Sequence, residues 1–176
     1  MTNDEYFNEI ETYFIKLREY REESKRIAAG IVGENFTEDD LFFISALNRR
    51  VQFIDGIIDL LRTRNLTCAG ILVRTQLDNL MRVFAAFISE DRRLFIKETL
   101  SGTAIRNLKD NQNKKMTDVN LKKRMSEYYP RLKKFTINHL VMFICLKSHF
   151  IRLFGQNNLM EILELDFQLV CLLGKN

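Results

Sequence analysis

Between its first residue and Tyr129 the chain contains no proline, and its one proline, Pro130, falls after that whole stretch. Seven glycines are the remaining strong turn formers in 176 residues. A multi-stranded sheet needs such residues at every reversal, so this shortage excludes it and points to long helices. The expectation is an all-α fold, a bundle of about six to seven helices. A chain of this length can bury a sizeable single core.

Hydrophobic periodicity places the helices. Tyr6, Phe7, Ile10, Tyr13, Phe14 and Leu17 recur at helical spacing in a helix over residues 3–29, which Gly30 and Gly33 should end. Thr37, followed by Glu38, Asp39 and Asp40, reads as an N-cap with acidic residues at the positive end of the next helix dipole. That second helix extends to about Arg64, and Asn65 and Thr67 separate it from a third that runs to about Ile88. Ser89 is positioned to cap a fourth helix, which Gly102 weakens. Lys109–Thr117 is polar and aperiodic and reads as a loop before a fifth helix from about Asp118 to before Pro130. One or two further helices are expected over residues 131–173.

On a helical wheel the second helix presents Phe43, Leu47, Ile54 and Ile57 on its apolar face, and Arg50 falls among them while Arg49 falls on the polar side. A guanidinium in such surroundings requires a carboxylate. On the third helix Arg74, Asp78 and Arg82 follow one another at steps of four along the edge of an apolar arc. Asp78 can bridge the two arginines of its own helix, or reach Arg50 across a short helix–helix turn. Arg50, Arg74, Asp78 and Arg82 are therefore the candidate cluster, either an ion pair fixing helix register or an anion pocket built from arginines.

The net charge of +4 conceals an asymmetry: −5 over residues 1–91, +9 over 92–134 and zero over 135–176. Lys114, Lys115, Lys122, Lys123, Arg124, Arg131, Lys133 and Lys134 supply most of the basic segment and are the candidate nucleic-acid contacts, with Tyr128 and Tyr129 available for stacking. The alternative for this segment is a solvated basic face. Cys68, Cys145 and Cys171 are widely spaced in apolar runs, without metal-ligand spacing, and read as buried reduced thiols of a cytoplasmic protein. No cofactor or metal is expected. The start, MTNDEYFNEI, is acidic and polar, unlike a secretory leader, and the most apolar tract, residues 137–154, holds too many polar residues to span a bilayer.

The stretches Ala46-Leu-Asn-Arg-Arg50, Arg74-Thr-Gln-Leu-Asp78 and Lys115-Met-Thr-Asp-Val-Asn-Leu121 resemble a group of uncharacterised bacterial all-helical proteins over roughly residues 40–134. By architecture that group invites comparison with HEPN-type nucleases and abortive-infection proteins. The HEPN signature is an arginine, four to six intervening residues and then a histidine on one helix. Here the candidates are His139 and His149; seven residues separate Arg131 from His139, and no arginine precedes His149 at that spacing. The resemblance fades after Lys134. Read across its codon junctions, the following text permits the group's own continuation, Y-N-Q-S-S-G-Y-V-H-L-S-E-K-S-F, so a frame-shifted, apolar tail is expected over residues 135–176, packed on a helical domain of residues 1–134.

The function expected on these grounds is a non-catalytic interaction or scaffold module acting with a protein partner or a second copy of itself. Tyr6, Tyr13 and Tyr20, spaced by seven, could form its helix–helix seam. The competing expectation is a nucleic-acid-binding or HEPN-like defence protein lacking the catalytic Arg/His pair, and an enzyme using Asp78 as acid or base stands third.

Overall fold

A computed structural model describes residues 3–33 and 35–129, and among these it contains five α-helices and one short 3-10 turn. They are α1 (Asn3–Ile31), α2 (Glu38–Arg62), α3 (Leu66–Ile88), α4 (Arg92–Leu100), the 3-10 turn Ile105–Asn107, and α5 (Asp118–Tyr128). The helices and tail expected beyond Pro130 lie outside the described residues. Among the described residues no helix is long and apolar enough to cross a membrane.

Local chemistry sets the helix ends. Thr37 opens α2 with a capping box: its hydroxyl accepts from the Asp40 N–H (3.2 Å), and the Asp40 carboxylate accepts from the Thr37 N–H (2.8 Å). Two backbone bonds close α2, from Asn65 N–H to Leu60 O (2.8 Å) and from Arg64 N–H to Leu61 O (3.1 Å), with Arg64 in the left-handed region at φ 56°. This is a Schellman stop, normally made with glycine. The sharp reversal leaves α2 and α3 as antiparallel neighbours. Asn65 then caps α3 through the Cys68 N–H. Cys68 is exposed, not buried as expected, because in the first turn of α3 it is Leu66 and Ala69 that turn to the core. Cys145 and Cys171 lie outside the described residues.

Two expected boundaries differ. Gly30 stays inside α1, which ends at Ile31. The cap of α4 is Asp91, whose carboxylate accepts from the Leu94 N–H (3.0 Å). Ser89 cannot serve, because its hydroxyl donates to Ala86 O (2.8 Å) in the last turn of α3 and its backbone pairs with Asp110.

The three long helices run up, down and up. Arg21 of α1 meets Asp55 of α2 at 2.6 Å, and Arg62 lies over the Phe14 ring, which fixes α1 antiparallel to α2. The Asn79 amide donates to Ala46 O (3.2 Å) between α3 and α2. Phe14, Leu17, Leu47, Ile54, Ile57, Leu80 and Phe84 form the centre of the core. Phe42 meets Phe95 edge-on at 6.3 Å and seats α4, while Tyr128 contacts Phe84 and Phe87 at 5.6 and 5.8 Å and seats the end of α5 on α3. Replacing Thr37 by alanine removes the capping box. It should cost about 1 kcal/mol and lower the melting temperature by about 2–4 °C, measured by thermal circular dichroism.

Candidate functional site

The four residues of the candidate cluster divide between two places. Arg50 is wholly buried and Arg49 exposed, the sides the helical wheel assigns them. The Arg50 guanidinium lies 5.7 Å from the centre of the Tyr20 ring, so it belongs to the α1–α2 interface. Arg74 and Asp78 pair along α3 at 2.7 Å. Among the other charges acting on Asp78 are Arg82 and Asp118.

Arg74, Asp78 and Arg82 instead share an open groove of about 630 Å³. Its second wall is the turn after α4, where Gly102 (φ +94°) reverses the chain and the 3-10 turn presents Arg106. Its third wall is the start of α5, with Asp118 and Leu121. Met81 and Met116, both buried, contribute apolar surface. Arg106 and Asp118 carry no signal in the sequence for this role. They reach α3 only through the folded path of residues 101–118.

That path is an ordered structure and not the featureless loop its composition suggests. Asp110, fully buried, organises it. One carboxylate oxygen accepts from the N–H groups of Gln112 (3.0 Å) and Lys114 (2.9 Å). The other faces the Asn120 amide (3.4 Å) and the Arg124 Nε (3.9 Å) of α5. Arg124 also donates to the Asn111 side chain (3.0 Å), and the Asn111 N–H caps α3 at Ile88 O (2.8 Å). Arg124 is thus buried, and its guanidinium is turned into the loop. Lys114, Lys115 and Lys123 remain exposed and Lys122 half-buried. Arg131, Lys133 and Lys134 lie outside the described residues, as do His139 and His149.

Asp78 and Asp110 titrate in opposite directions. Burial pushes the Asp78 carboxyl up, and the repulsion of Asp118 adds to this, against the attraction of Arg74 and Arg82. Burial also acts to raise Asp110, but the N–H donors of Lys114 and Gln112, the Arg124 charge and the Asn120 amide outweigh it and hold the group below the usual carboxylate range.

A second cavity, of about 600 Å³, lies where the first turns of α2 and α4 meet the end of α1. Asp39 and Arg92 pair across it at 3.4 Å. Glu38, Asp40 and Arg93 share its lining; Val32 and Phe36 stand exposed in the link between α1 and α2, Leu41 on α2 and Leu94 on α4. Of the expected tyrosine seam, Tyr13 and Tyr20 are half-buried in α1, with Tyr20 packed on the core; the Tyr6 side chain lies outside the description. No protein-family model, curated protein or solved structure matches the chain.

Because the folded-state pKa of Asp110 is depressed, its stabilisation is complete above the ordinary carboxylate value of about 3.9 and is lost as pH falls through the lower folded value. Urea unfolding of Asp110→Asn should show a loss of about 2 kcal/mol at pH 7 and a shallower decline on acidification than the parent chain. Asp78→Asn removes a half-exposed pair with little net worth and should stay within about 0.5 kcal/mol of the parent.

Proposed function

We propose that the chain is a non-catalytic interaction module that pairs with a second copy of itself through the face where α2 and α4 begin. The observation that carries this reading is the composition of that face. Phe36, 58% exposed, and Val32 lie in the link between α1 and α2, Leu41 on the first turn of α2 and Leu94, 55% exposed, on the first turn of α4, and the cavity beside them is lined by charged residues of both signs. Exposed apolar side chains rimmed by polar ones mark contact surfaces. A two-fold interface sets the same patch against itself, so a patch must be self-complementary. Glu38, Asp39 and Asp40 beside Arg92 and Arg93 meet that condition, whereas a patch of one sign would repel its copy.

The competing reading, nucleic-acid binding, is supported by the exposed Lys114, Lys115 and Lys123 but loses Arg124 to the interior. The two readings respond differently to salt. An apolar interface persists at high ionic strength, whereas phosphate contacts weaken steeply with it. Light scattering after gel filtration should give twice the mass of one chain at both low and high salt. The double variant Phe36→Ser/Leu94→Ser, which alters only exposed side chains, should elute as a monomer with an unchanged circular dichroism spectrum. A monomeric parent chain that binds a labelled single-stranded oligonucleotide in a salt-sensitive manner would establish the competing reading instead.

A further inference from the structure

The hairpin of residues 108–116 sets two like charges against each other. The Met116 N–H donates to Leu108 O (2.9 Å) and the Asp110 N–H to Lys114 O (2.9 Å), so Lys109 and Lys115 stand directly opposite as an antiparallel pair with no hydrogen bond between them. Such pairs are the closer of the two kinds in an antiparallel ladder, and their side chains leave it on the same face. Asp110 and Met116, the next residues along, are buried, and alternation turns Lys109 and Lys115 outward, where both are exposed. Like charges placed in this way destabilise a ladder. Among the described residues no carboxylate stands within ion-pair distance of either.

The pair belongs to a larger surface. The Asn120 amide donates to Lys115 O (3.0 Å) and joins the hairpin to the first turn of α5. From that turn Val119 projects, 81% exposed, with Lys122 and Lys123 beside it one turn on. From Arg106 to Arg124 the chain carries seven cations and two carboxylates. Asp110 and Arg124 offset each other in the interior, which leaves six cations against one exposed carboxylate, Asp118.

Charge alone admits any polyanion, and the apolar residue narrows the choice. The span 106–124 holds no aromatic residue, and Tyr128 beyond it is packed edge-on against Phe84 and Phe87. Stacking of bases has no platform among these lysines. A phosphate backbone also gains nothing from a protruding valine. A lipid surface uses both features: lysine ammonium groups reach the headgroup phosphates while the apolar side chain enters the acyl boundary. We infer that the face built by the hairpin and the first turns of α5 docks peripherally on an anionic lipid surface. The inference is independent of self-association, since none of these residues lines the α2–α4 cavity.

Co-flotation of the full chain with lipid vesicles tests it. Vesicles of phosphatidylcholine with about one-third phosphatidylserine should carry the chain at low ionic strength, vesicles of phosphatidylcholine alone should not, and high salt should release it. Lys109→Gln/Lys115→Gln should weaken partitioning about fivefold for each charge removed. Because it relieves a repulsion, the same variant should melt no lower than the parent. Val119→Ser, at an exposed position, should weaken partitioning about tenfold and leave its salt dependence unchanged. The self-association variant Phe36→Ser/Leu94→Ser should keep the preference for anionic vesicles. Absence of binding to the anionic vesicles overturns the inference, as does equal binding to the neutral ones. So does a folded Val119→Ser variant that partitions as the parent does. An oligonucleotide duplex that strips the chain from the vesicles at equal phosphate concentration assigns the face to nucleic acid instead.

Discussion

The carboxylate of Asp110 is the contact on which the second half of the described fold depends. It has no exposure to solvent, and it stays ionised because backbone N–H groups of its own loop, an amide and a guanidinium surround it. A buried carboxylate with fewer donors would take up a proton or exclude itself from the interior. By gathering Gln112, Lys114, Asn120 and Arg124 the group joins the loop to α5, and its neighbour Asn111 joins the same loop to the end of α3. The position of α5 relative to α3 follows, and with it the place of Asp118 beside Asp78. The groove follows from this buried charge together with the packing of Tyr128 on Phe84 and Phe87.

The basic segment shows how folding sorts charges of one type into different tasks. Arg124 is turned inward as the counter-charge of Asp110, Arg106 is displayed on the 3-10 turn, and Lys114, Lys115 and Lys123 stay in water. A count of cations cannot make these distinctions, since they depend on which side of α5 or of a short turn each residue occupies. The same holds for Asp78 and Asp110. The more buried carboxyl is the more acidic of the two, because donors, not depth alone, decide the direction of the shift.

Much of the helical frame was legible in the residues. The proline-free stretch, the Thr37 box and the apolar arcs of α2 and α3 are local signals, and the structure uses them as local physics requires. The inward side of Arg50 followed from its wheel position; the α1 side chain beneath it did not, because Tyr20 lies in another helix. Ser89 and Asp91 compete for the same cap, and the outcome depends on Ser89 being held by α3 and Asp110. The order in residues 109–117 was invisible for a related reason. An aperiodic polar stretch reads as loop, and only the convergence of its own N–H groups with Asn120 and Arg124 of α5 turns its Asp110 into an anchor. Gln76 and Asn79, buried polar residues of α3, were likewise hidden among apolar neighbours.

Native-state hydrogen exchange at the Gln112, Lys114 and Met116 amides tests the anchoring role most directly. In the parent chain these N–H groups should exchange slowly and together, as one cooperative unit with the first turns of α5. In an Asp110→Ala variant they should exchange at nearly unprotected rates while the amides of α2 and the middle of α3 keep their protection. Unchanged protection of Lys114 and Met116 in that variant would contradict the account, because the loop would then be held by something other than the buried carboxylate.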